Sequence, residues 1–189
     1  MVIREKVLIR ELKEAYKGGG YVVITRPGGR MVFLTFGWTV EIDKEDLPRE
    51  ILALLALHMG YIPEESKAYR IMKGKDEPMV QTMLYDTAIN TIHILEESVQ
   101  QAVQTVPVSV RKTVLTIDGF NLWQKLGNNG CLMVNPHYEN LIRILDDVII
   151  VGDHLYKEGG ISKVYIRREE KPRYENQLNH LGQIPWVEK

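Results

Sequence analysis

The stretch PMVQTMLYDTAINTIHILEESVQQAVQTVP, residues 78–107, decides the fold. Val80, Leu84, Ala88, Thr91, Leu95, Val99, Ala102 and Val106 recur every three or four residues, the spacing of one face of an α-helix. This seam predicts a helix over about 79–105, on the order of 40 Å long at 1.5 Å per residue. Its charge is unusual. It carries Asp86, Glu96 and Glu97 but no Lys or Arg, where a chain that is 26% charged would place about eight charges in such a stretch. Thr82, Thr87, Asn90, Gln100, Gln101 and Gln104, off the seam, tolerate partial burial when hydrogen-bonded. The reading is a helix covered on more than one side, either between the flanking halves of the chain or at a seam between copies.

The flanks read as α+β halves. Upstream, Leu8, Leu12, Ala15 and Tyr16 keep helical spacing, and Gly18-Gly19-Gly20 stops that helix. Tyr21 to Arg26 and Met31 to Phe36 read as strands around the turn Pro27-Gly28-Gly29, with a third strand from Trp38 to Ile42. Asp43 or Asp46 is placed to cap a helix that runs through Pro48 to Met59 and stops at Gly60. Residues 61–73 fit a short helix after Pro63 or a strand around Tyr69 to Met72.

Downstream, Val108 to Ile117 and Phe120 to Lys125 flank Asp118-Gly119, a two-residue hairpin signal. Cys131 to Val134 follows as a strand, and Asn135-Pro136 opens a helix. Tyr138, Leu141, Ile142, Leu145, Val148, Ile149, Leu155 and Tyr156 keep helical spacing, which favours one long helix to Gly159-Gly160 over a strand at 148–151. Ile161 to Arg167 reads as a last strand. The expected order is α-βββ-α-(α or β)-α-βββ-α-β-tail. It divides into an N-terminal half (1–77), the long helix (78–107), a C-terminal half (108–168) and an extended tail (169–189). The tail keeps Leu178, Leu181, Ile184, Trp186 and Val187, so it is expected to lie along the body or a neighbouring subunit. Hairpin, third strand and helix recur in both halves, which leaves duplication open.

The totals exclude several classes. The chain has 189 residues, with 24 Lys+Arg against 25 Asp+Glu, and is 44% hydrophobic. A disordered chain, a disulfide scaffold and a strongly basic nucleic-acid coat do not fit these values. The single Cys131 has no partner for an internal disulfide or a Cys-based metal site, so a reducing, cytoplasmic setting is expected. The N-terminus lacks the apolar core of a signal peptide, and the most apolar run, Ile51 to Leu57, is too short to span a membrane.

Val114-Leu115-Thr116-Ile117-Asp118-Gly119-Phe120-Asn121-Leu122 is the sharpest local motif. An apolar strand ending in Asp-Gly-aromatic-Asn-Leu resembles the first acidic motif of the NYN/PIN-type metal-dependent ribonucleases. The resemblance implies a divalent cation held by Asp118 and supported by Asn121, with Asp146, Asp147 and Asp153 available to complete an oxygen ligand set. The competing reading is a plain Asp-Gly turn. A second pattern interleaves charge and aromatic rings: Lys163, Tyr165, Arg167, Arg168, Lys171, Arg173 and Tyr174. On a strand, Lys163, Tyr165 and Arg167 would share one face and could stack on and neutralise a nucleic acid. Glu169 and Glu170 interrupt the run, which favours an ordinary charged sheet face.

The histidines form no metal-ligand spacing, and the glycine pairs match no phosphate loop. No catalytic constellation is complete in the sequence, and no cofactor is expected. The expectation is a non-enzymatic binding, adaptor or regulatory protein that self-associates through the 79–105 helix or the 178–187 tail. A nuclease built on Asp118 and a nucleic-acid binder built on 163–174 stand as alternatives.

Overall fold

The computed structural model describes residues 1–60, 62–74, 79–80, 82–127 and 130–183. It is α+β, in close to the expected order. The first half runs α1 (Glu5–Lys17), β1 (Tyr21–Arg26), β2 (Arg30–Leu34), β3 (Trp38–Asp43), α2 (Arg49–Met59), β4 (Ala68–Ile71) and β5 (Met79–Val80). The long helix α3 (Thr82–Gln104) follows. The second half runs β6 (Val110–Ile117), β7 (Phe120–Lys125), β8 (Cys131–Val134), α4 (Pro136–Glu139), β9 (Ile149–Val151), β10 (His154–Gly159), β11 (Ser162–Arg167) and α5 (Glu175–Gly182).

Turn chemistry sets the local pairing. Asp118 and Gly119 both take positive φ, 53° and 80°, the geometry of a tight hairpin turn with primed twist. That turn fixes Ile117 opposite Phe120. Gly60 closes α2 in the left-handed region, with its N–H donated to the Ala56 carbonyl.

The two halves share one sheet. Its strand order is β5-β4-β1-β2-β3-β11-β10-β9, antiparallel throughout, and the β3–β11 pair (Val40 opposite Val164) joins first half to second. A second sheet has the order β6-β7-β8. The halves repeat one pattern: a helix, a three-strand meander, a helix, then a strand returning antiparallel to the first strand of the meander. In the first half β4 returns to β1. In the second, the segment at β9 returns beside the start of β6 through Val110 N–H to Val148 O and Ile150 N–H to Val108 O, both 3.0 Å. The second half then adds the β10–β11 hairpin.

Each face of the large sheet buries its own set of side chains. Val23, Met31, Phe33, Val40, Ile42 and Val164 face a core shared with α1, α2 and the small sheet. The opposite face lies under α3. Ala88 and Ile92 pack on Ile24, Val32 and Ala68, and Leu95 packs on Val151, Tyr156 and Tyr165. A helix of 23 residues is about 34 Å long, and the seven strands from β4 to β9 are about 29 Å wide at 4.8 Å per gap. α3 is therefore long enough to strap one half of the sheet to the other. Arg26, on β1, donates to Glu96 of α3 at 2.6 Å and pins the middle of the strap.

Several expectations change. α3 begins at Thr82, because Met79 and Val80 form β5, and the side chains of Val80 and Leu84 lie outside the described residues. Its buried stripe runs through Ile92 rather than Thr91, and among the described residues one side of it is covered; Asn90, His93, Ile94, Glu97 and Gln101 are exposed. The long helix expected from Pro136 to the Gly159-Gly160 stop is a short α4 followed by β9 and β10. Asp147 sits at φ 53°, outside helical backbone, and the β-branched run Val148 to Val151 suits a strand. Of the two readings of residues 61–73, the strand is the one formed, over 68–71. α2 is preceded by Pro48 with no side-chain cap; Asp43 ends β3 and Asp46 lies in a 3₁₀ turn. The tail is not extended over 175–182, where it forms α5, while Ile184, Trp186 and Val187 lie outside the described residues. No helix among the described residues is long and apolar enough to cross a membrane.

Candidate functional site

The site begins where β11 leaves the large sheet. Arg168 N–H donates to Asp153 O and Glu169 N–H to Met133 O, each at 2.9 Å, so the chain crosses to the outer edge of β8 and touches it at one bridge. Residues 168–172 then form a strap, Pro172–Tyr174 a 3₁₀ turn, and α5 returns over the small sheet. Two glycines seat α5. A Cβ built on Gly182 would lie 2.1 Å from the Gly130 nitrogen, so the helix end rests directly on the backbone that enters β8. Between β8, the strap and α5 lies a cleft of about 400 Å³.

The strap is held by charge. Arg168 donates through one terminal nitrogen to Asp153 Oδ1 and Glu170 Oε1, both at 2.9 Å. Lys171 and Arg173 both donate to Asp118 Oδ2, at 3.0 and 2.6 Å. Lys171 also sits 4.2 Å above the Phe120 ring, and Arg173 4.6 Å from the Tyr174 ring. The Lys171 hydrogen bond, together with the charges of Lys171 and Arg173, holds the Asp118 carboxyl below its ordinary value. Arg168 Nε is buried and has no hydrogen-bond partner among the described residues. Cys131 lines the cleft, and burial pushes its thiol up, away from the reactive thiolate.

The structure thus joins two sets of residues that the sequence presents separately. Asp118 and Asp153, the carboxylates of the ribonuclease-like reading, are bound by Arg173 and Arg168 of the basic-aromatic run. The remaining candidates lie elsewhere. Asn121 donates to Glu139 Oε2 at 2.8 Å. Asp147 is 3.7 Å from Lys157, whose ammonium also bonds the Asp146 carbonyl. Among the described residues no group of three or more His, Cys, Asp or Glu is placed to hold a metal ion. Lys163, Tyr165 and Arg167 do share a face, but it is the face under α3. Tyr165 is 2% exposed, Lys163 pairs with Glu158, and Arg167 lies 4.4 Å over the Phe36 ring.

Sequence reasoning missed three buried carboxylates, Glu11 on α1 and the two that organise sheet contacts, Glu139 and Glu41. Glu139 accepts from Lys112, from Asn121, and from Trp123 Nε1 at 2.9 Å, which fixes α4 to the small sheet. Glu41 lies 3.0 Å from Arg30 and 3.5 Å from Arg26 on the face under α3. One signal was available for Glu41. It alternates with Trp38, Val40 and Ile42, so the period of two puts it on the opposite face, beside Arg30 of the hairpin.

Set against known protein families, curated proteins and solved structures, the chain matches none of them.

Proposed function

We propose that this chain is a non-catalytic binding or adaptor protein of the cytoplasm, and that it self-associates through the outer face of α3. The observation that carries the reading is the character of that face. Ile94 is 63% exposed, set among Thr87, Asn90, His93 and Gln101. No Lys or Arg occurs from 78 to 107, so the face has no cation to offer a nucleic acid or an acidic protein.

A second copy of the same helix is the occupant that fits. In a two-fold, antiparallel pairing centred near residue 95, His93 of one copy meets Glu97 of the other, and Asn90 meets Gln100 and Gln101. The surface is self-complementary in charge and in hydrogen-bonding groups. A helix face about 34 Å by 10 Å offers a few hundred Å², below the roughly 800 Å² per partner of a standard interface. The dimer is therefore expected to be weak and reversible, dissociating in the micromolar range.

Light scattering coupled to size exclusion, run across a concentration series, tests this. The mass should rise toward that of a dimer with concentration, and Ile94→Glu should keep the protein monomeric. A mass that stays monomeric up to about 1 mM, or a dimer untouched by that substitution, overturns it.

A further inference from the structure

We propose that the cleft between β8, the strap and α5 binds a zwitterion of amino-acid or dipeptide size with an apolar side chain. The site is separate from the outer face of α3 and does not depend on self-association.

Size is the first ground. At about 400 Å³ the cleft lies within the range of small-molecule sites and exceeds what one or two waters fill. The second is the distribution of charge on its walls. Lys125 reaches over Gly130, its ammonium 3.9 Å from where a Gly130 Cβ would stand, and Arg168 lines the strap side. Glu175, in the first turn of α5, and Glu169 bring the opposite charge to the same cavity. A phosphate or other bare anion would meet these carboxylates, and a simple cation would meet Lys125 and Arg168. A molecule carrying both charges satisfies both walls.

Arg168 sharpens the polarity. Asp153 and Glu170 occupy one terminal nitrogen, while Nε stays buried without a partner among the described residues. The Arg168 guanidinium is thus committed to the strap, and of the two cations Lys125 is the one directed to an incoming carboxylate. Cys131, Met133 and Leu178 supply an apolar lining for a side chain. Thus the carboxylate of the ligand is directed to Lys125, its ammonium to Glu175, and its side chain to the three apolar residues.

Calorimetric titration of the full chain with L-leucine, L-methionine and the dipeptide Leu-Leu tests the assignment, with N-acetyl-leucine and leucine amide as single-charge controls. At least one zwitterion should bind saturably, and both blocked leucines at least tenfold more weakly than leucine itself. Lys125→Gln and Leu178→Asp should each weaken binding at least tenfold. Lys125 is half-buried at the end of β7, and Lys125→Gln keeps the result readable if Leu178→Asp does not fold. The proposal is overturned if no zwitterion saturates below about 10 mM, if the blocked leucines bind as well as leucine, or if Lys125→Gln binds like the parent chain. Ile94→Glu, which tests the dimer, should leave this titration unchanged.

Discussion

Glu139 offers the sharpest quantitative test of how the second half is held together. Its side chain is 3% exposed and serves three donors: Lys112, Asn121 and Trp123. Glu139→Ala removes the acceptor for all three. Trp123 is fully buried, so its indole N–H has no water to turn to, and the Asn121 amide is partly buried. Each orphaned donor costs about 1–3 kcal/mol. Lys112, 37% exposed, can turn its ammonium to solvent and adds little. Loss of the side chain's own packing brings the total to roughly 3–5 kcal/mol, the range for breaking a buried charge pair on one side. For a chain of this length that corresponds to a fall in Tm of roughly 6–20 °C. Glu139→Gln keeps one acceptor oxygen and should cost about 1–2 kcal/mol. Urea unfolding followed by tryptophan fluorescence measures both, with Trp123 as a reporter inside the perturbed region. An alanine variant within about 1 kcal/mol of the parent, or a glutamine variant as damaged as the alanine one, would refute the claim that the carboxylate organises this core.

Two further predictions concern α3 and His58. Ile92 and Ile94 lie two residues apart on α3, the first 3% and the second 63% exposed. Ile92→Ala should destabilise by about 2–4 kcal/mol and Ile94→Ala by less than about 0.5, measured on monomer at low concentration; similar values for the two would mean that α3 does not dock as described. His58 stacks on Tyr16 at 3.9 Å and shares a hydrogen bond of 3.0 Å with the Tyr21 hydroxyl. Burial, and then the charge of Lys13, lower its pKa from the ordinary 6.5. The fold therefore favours the neutral ring. Its stabilising contribution is present above the unfolded value and is lost as pH falls through the lowered folded value. Tm should drop between pH 7 and 5 in the parent and drop less in His58→Gln, with His154, also lowered chiefly by burial, keeping part of the slope. An identical pH profile for the two proteins would remove His58 from this role.

Much of the fold was legible because its signals are local. The helical seam of α3, the Asp118-Gly119 turn, the Asn135 cap that accepts from His137 N–H, and the Gly60 stop each depend on neighbours within a few residues. The stretch from Leu141 to Tyr156 was misread because its apolar spacing fits a helix and its β-branched run fits a strand. The pairing of β10 with β9 and β11 resolves it, and that pairing is not encoded nearby. The candidate site was legible only in fragments. Asp118 and Arg173 both stood out in sequence, 55 residues apart, but nothing in either motif says that the two neutralise each other.

Residues 78–107 frame the same division. The sequence alone determines a long, cation-free helix there, because helical period and charge are properties of consecutive residues. The tertiary structure decides what covers it. One side straps the two halves of a shared sheet, through Ile92, Leu95 and the Glu96–Arg26 pair. The other side faces outward. Burial depends on which distant strands assemble beneath the helix, and the β3–β11 pairing that joins the halves links residues more than a hundred positions apart along the chain.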